Sequence, residues 1–242
     1  MVSPIRLIFS MAVLLQMLPG VMSAQERVYT VSWLGIPVVD VGVNVRENTG
    51  GMDIVYTAKT RSWFDPIYAL DNRYEVHLPA GGTSPSTYRK QIVERGHQDS
   101  LAATYRLSTG EVVYSNGIVR EWNEGDHNLF SALTWLERRP WRRGEKHTIP
   151  VEVEGVTWEV LVECYDVAEV DGAPPECLLL VTFVRVLRGE PVLSSTDMLT
   201  HLLPGVGNKL RLGLDSKRLQ IRWVKLGRAP FVVRARLNKE RS

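Results

Sequence analysis

Most of this chain alternates apolar and polar residues at period two, which confines it to half-buried β-strands. The pattern runs through 27–34, 37–46, 52–60, 72–78, 87–95, 100–107, 111–115 and 118–122. It resumes at 146–153, 156–168, 176–188, 191–200, 209–213, 217–226 and 230–238. Turn chemistry punctuates it: Asn48-Thr49-Gly50-Gly51, Pro79-Ala80-Gly81-Gly82, Ser108-Thr109-Gly110 and Asn116-Gly117. Asn-Gly is a strong hairpin signal because both residues tolerate the positive φ of a type I′ turn. In the last pair, Leu219, Ile221 and Trp223 are expected on one face, and Arg218, Gln220 and Arg222 on the other. Arg234 and Arg236 alternate in the same way with Val233, Ala235 and Leu237, so a hairpin with one arginine-rich face is predicted.

One segment breaks the alternation. Leu129, Ala132, Leu133 and Leu136 fall at helical spacing, with Asp126 or Asn128 as cap and Pro140 preventing continuation. A helix over about 127–139 is therefore predicted, with Leu129, Leu133 and Leu136 as its apolar stripe. A shorter turn is expected at Asp65-Pro66. The fold class that follows is mainly β (α+β): a large twisted antiparallel sheet curling into a half-barrel, the helix on its concave face. Repeats and long polar linkers are missing, and 140–146 is the only plausible seam. Residues 25–242 thus read as one β-rich domain.

Residues 1–24 have the layout of a secretory signal peptide: Arg6, an apolar run from Leu7 to Leu18, Pro19-Gly20, then small Ser23 and Ala24 before polar Gln25. The apolar run is shorter than the roughly 20 residues a spanning helix needs. Cleavage after Ser23 or after Ala24 would satisfy the pattern. A periplasmic address is expected, with no membrane span in the mature chain. Export also disfavours nucleic acid as a partner, despite the basic C-terminal end.

The chain holds two cysteines, Cys164 and Cys177, flanking a turn signal at Asp171-Gly172-Ala173-Pro174-Pro175. In an exported chain a hairpin turning there could bring them together as a structural disulfide; two buried thiols are the alternative. The net charge of +2 hides an asymmetry: residues 121–176 carry 13 acidic and 5 basic side chains, residues 200–242 carry 2 acidic and 11 basic. Either the two stretches neutralise each other, or the basic end faces an anionic partner.

Several short motifs resemble an exported bacterial family, domain of unknown function 3108. They are Tyr29-Thr30-Val31-Ser32-Trp33-Leu34-Gly35-Ile36, Leu70-Asp71-Asn72-Arg73-Tyr74, the acidic-start helix with Ser131-Ala132-Leu133, and Leu214-Asp215-Ser216-Lys217-Arg218. The chain departs from the family pattern at Leu129-Phe130. The resemblance implies a Gram-negative envelope location and a predominantly antiparallel β fold, and it implies no activity.

Catalytic signatures are missing from the sequence. It has no G-x-S-x-G elbow, and His77, His97, His127, His147 and His201 show no metal-ligand spacing. A triad of Asp126, His127 and a distant serine, or a carboxylate pair among Asp65, Asp71, Asp126 and Asp215, is open by residue type only. No catalytic, cofactor-binding or metal-binding residue is therefore expected. Two features suit binding. Trp33, Trp63, Trp122 and Trp135, with the Leu129/Leu133/Leu136 stripe, could line an apolar groove. Arg218, Arg222, Arg234 and Arg236 could meet phosphate-bearing lipid or an acidic protein surface, or could simply be a solvated face that discourages edge aggregation. The expectation is a non-enzymatic binding or assembly factor for a lipid-like ligand or an envelope protein. The alternatives are an envelope hydrolase acting on glycan or peptide, and a structural interaction module.

Overall fold

A computed structural model describes residues 23–168, 175–193, 197, 200, 203–228 and 231–241. Residues 1–22 of the expected leader 1–24, residues 171–174 of the expected turn at 171–175, residues 194–196 and His201 lie outside the described residues.

Fifteen strands form one sheet. In chain order they are β1 (Ser23–Trp33), β2 (Ile36–Asn48), β3 (Gly51–Thr60), β4 (Asp71–Pro79), β5 (Thr87–Glu94), β6 (His97–Arg106), β7 (Glu111–Tyr114) and β8 (Val119–Glu121). Then follow β9 (His127–Asn128), helix α1 (Leu129–Glu137), β10 (Lys146–Val153), β11 (Val156–Ala168), β12 (Glu176–Gly189), β13 (Lys209–Asp215), β14 (Gln220–Arg228) and β15 (Phe231–Arg241). The order across the sheet is β8 through β1, then β15 down to β9, so the chain's first and last strands pair in its middle. Every pairing is antiparallel except β9 with β10.

That order forces the sheet to roll. Laid flat, fifteen strands would span about 67 Å at the usual strand spacing. Yet the two edge strands, β8 and β9, are joined by residues 122–126, a link that reaches about 22 Å at most. The link holds the ends of the two edge strands near each other, and side chains bridge the two halves of the sheet. Asn116 Nδ2 donates to Val192 O at 3.0 Å, and Arg188 reaches both Asp126 and Glu121.

Helix α1 fills the inside. Its cap is Asn128, which accepts from Ser131 N at 2.8 Å while Ser131 Oγ accepts from Asn128 N at 2.9 Å. Of the predicted stripe, Leu129 and Leu136 are buried and Leu133 is half-buried. The largest buried helical side chain is Phe130, whose ring packs on Tyr56, Tyr74 and Tyr88 at centroid distances of 4.8, 4.9 and 5.8 Å.

Two local departures from the sequence pattern matter. The strand expected over 191–200 is not formed at its described residues; there Asp197 turns inward and accepts from Thr200 N at 3.0 Å. On β14, a bulge places Arg222 as an extra residue between the pairs Gly213↔Trp223 and Leu214↔Ile221. Alternation therefore slips by one, as a bulge requires. Ile221 stays inside, and Trp223 emerges on the outer face, opposite to expectation.

Candidate functional site

The four tryptophans expected to line a groove do not converge. Trp33 and Trp63 are exposed at the β1–β2 and β3–β4 ends. Trp122 is fully buried, 4.3 Å from Tyr105 by ring centroid. Trp135 lies half-buried on the outer side of α1, with Arg139 stacked over it at 4.7 Å. Beneath α1, a cavity bounded by Tyr88, Phe130 and Glu154 holds only about 10 Å³, room for a single water and not for an acyl chain.

Polar groups occupy the space instead. Lys90, inward-facing on β5, binds Glu154, and its Nζ stands 3.3 Å from Asp197 Oδ2. Asp197 also accepts from Tyr74 OH at 2.8 Å and from Thr200 Oγ1 at 2.9 Å. Glu152 accepts from Tyr114 OH at 2.6 Å, Tyr105 OH at 3.2 Å and Gly155 N at 2.6 Å. Glu94 takes Asn72 Nδ2 and Tyr68 OH. Nearer the helix end, Arg27 pairs with Glu137, which accepts from Ile221 N.

Burial pushes Glu154 up to about 7 against the pull of Lys90, and burial raises Glu152 also. Glu154 sits at positive φ (51°) in the two-residue β10–β11 turn, where a glycine or asparagine costs less. These groups tie the Asp197 segment and α1 to the wall of the roll; chemically they hold protons and position one another.

The catalytic candidates read from the sequence that lie among the described residues each have local partners. His127 Nδ1 faces Thr83 O at 3.2 Å, and burial lowers its affinity for a proton. Asp126 accepts from Asn123 N and binds Arg188. Asp65 binds Thr60, Asp71 binds Lys59, and Asp215 accepts from Lys217 N and Arg218 N.

The arginine face is assembled more fully than the sequence suggested. Arg222, Arg234 and Arg236 are exposed on the outer surface of β14 and β15, while Arg218 sits in the β13–β14 turn. Register adds two cations that sequence reading missed. Arg211, Lys225 and Arg234 stand directly abreast on β13, β14 and β15, and the next row holds Gly213, Trp223 and Arg236. A Cβ on Gly213 would lie 2.1 Å from Trp223 Nε1, so the glycine lets the indole lie flat between the rows. Arg222 leans toward Asp215 at 3.4 Å. Lys209, Arg211, Lys225, Arg234 and Arg236 form no ion pair among the described residues; Glu176 of the acidic stretch reaches over Gly213 beside them.

Cys164 and Cys177 are buried with their sulfurs 2.7 Å apart. They are diagonal neighbours, opposite Leu179 and Val167 respectively, because the β11 bulge at 164–166 shifts the register. No helix among the described residues is long and apolar enough to cross a membrane.

The architecture defines a class: a β-barrel-like domain made by rolling one antiparallel sheet around a helix. Among solved structures the chain is similar to the crystal structure of a β-barrel-like protein of domain of unknown function 1849 from Brucella abortus. The TM-score is 0.58 at 9% identity, covering 90% of this chain and 96% of that one. The likeness is one of fold, to a domain without assigned function. No family model matches the sequence, and no curated protein matches it.

Proposed function

We propose that this protein is a non-enzymatic binding or assembly factor of the bacterial envelope, docking through the outer face of β13–β15 onto phosphate-bearing lipid headgroups. The observation that carries it is the row Arg211–Lys225–Arg234. Like charges directly opposite on adjacent strands destabilise a sheet. Three abreast, with no ion pair among the described residues and only Glu176 reaching over Gly213 in the adjoining row, are a standing cost that an anionic partner relieves. Edge protection does not account for them, since β14 and β15 lie mid-sheet with both sides paired. Guanidinium forks suit phosphate oxygens, and Trp223 among them has the amphipathic ring favoured at a lipid interface. The filled interior turns the expected lipid-like ligand from a swallowed chain into a surface contacted at its headgroups.

The address belongs to the same proposal: removal of residues 1–24 delivers residues 25–242 to the periplasm, where Cys164 and Cys177 oxidise to a disulfide. Kinship with domain of unknown function 3108 rests on the short motifs described above and fits that location.

Co-sedimentation of the mature protein with vesicles tests the docking face. Binding is expected to phosphatidylglycerol–phosphatidylcholine vesicles and not to phosphatidylcholine alone, and to weaken with salt. At about 1 kcal/mol per basic side chain near an anionic surface, Arg234→Glu with Arg236→Glu should cost 30-fold or more. Undiminished binding by that variant, or equal binding to neutral vesicles, would refute the reading.

A further inference from the structure

A second feature of the outer surface, on the opposite wing of the sheet, has no part in that docking face. Strands β3 to β6 carry an open cleft of about 400 Å³, within the size range of small-molecule sites. Its lining comes from outward positions that register sets side by side. Asp53, His77, Thr87 and Thr104 form one cross-strand row, and Glu75, Arg89 and Ala102 form the next. The methyl of Ala102 leaves space in front of the Arg89 guanidinium that a longer side chain would take.

The pairing inside the cleft decides what it can take. His77 Nδ1 lies 2.7 Å from Asp53 Oδ1, and Arg73 Nε donates to Glu75 at 2.7 Å. Both carboxylates thus already have a partner, which leaves no free counter-ion for a ligand ammonium. Arg89 is exposed and, although it stands across from Glu75, forms no ion pair among the described residues. The cleft therefore offers one unspent cation for an oxyanion. Around it are the threonine hydroxyls and the remaining lone pairs of Asp53, Glu75 and His77, spread over about 14 Å of sheet. It presents no broad apolar surface for an acyl chain.

From this we propose that the cleft binds an acidic sugar of the uronic acid type. Arg89 holds the carboxylate bidentately, and the Asp53–His77 pair with Thr87 and Thr104 receives the hydroxyls. The site is independent of the basic face, and neither reading needs the other.

Titration of the mature protein with D-galacturonic acid and its disaccharide, followed by NMR of the histidine rings and backbone amides, tests this. The expected result is saturable shifts at His77 and along 87–89 and 102–104, with no comparable response to D-galactose. Arg89→Gln should weaken the uronate at least 10-fold, as should Thr87→Val with Thr104→Val. Arg234→Glu with Arg236→Glu should leave binding unchanged. Galactose binding as well as galacturonate, unchanged affinity in Arg89→Gln, or no response in the wild type would each overturn the proposal.

Discussion

Lys90 and Glu154 show how single side chains set the behaviour of the interior. With a folded pKa of about 7 against an ordinary 4.5, Glu154 keeps its proton in the folded state between those pH values. Its contribution to stability is complete below pH 4.5 and is lost as pH rises through 7, on the order of a few kcal/mol. Melting followed by circular dichroism should show the wild type losing stability from pH 5 to 8, and Glu154→Gln losing distinctly less. Identical slopes would show that Glu154 titrates normally. Phe130→Ala should cost about 3–5 kcal/mol in urea denaturation, because it empties the centre of the tyrosine cage. A cost under 1 kcal/mol would mean that α1 does not hold the roll together.

These residues were partly legible in the sequence. Lys90 and Glu94 stand in phase with Tyr88 and Ile92, so their inward direction follows from period two. What hides them is that Arg89 and Gln91, on the other face, are polar as well. Glu152 gave no such signal, since β10 is buried on both faces at its end, from Val151 to Val153.

At the scale of elements, strand positions were readable almost throughout, because turns with Gly, Asn and Pro bound each alternating run. Register was not. Period two cannot reveal a bulge, and the one at Arg222 moves Trp223 from the expected core to the outer face. Likewise, Arg211 and Lys225 join the basic row only through pairing partners distant in sequence. Gly213→Ala tests that local arrangement: its methyl would collide with Trp223 and with Glu176 Oε1, 2.5 Å away. A shifted tryptophan emission and a loss of about 1–3 kcal/mol are expected, whereas an unchanged spectrum would place the indole elsewhere. The β11–β12 hairpin supplies another test. If Cys164 and Cys177 are bridged after export, non-reducing mass spectrometry will find the 2 Da deficit. Reduction, or Cys164→Ser with Cys177→Ser, should then lower stability by about 3 kcal/mol, the value for a loop of this length. Free thiols in periplasmic protein would contradict it.

For the molecule as a whole, the sheet order makes the roll inevitable, and α1 with its polar struts leaves the roll filled. A half-barrel was foreseeable from strand number and twist; the filling was not, because it depends on which side chains meet across the roll. That filling is why the proposed recognition is assigned to the outside, to the mid-sheet basic face. The most direct test uses mature protein with phosphatidylglycerol vesicles bearing a nitroxide contact quencher on their headgroups. Quenching of tryptophan fluorescence is expected, largely abolished by Trp223→Phe and left in place by Trp135→Phe. Quenching that survives Trp223→Phe and disappears with Trp135→Phe would put the lipid at the helix and contradict an outer docking face.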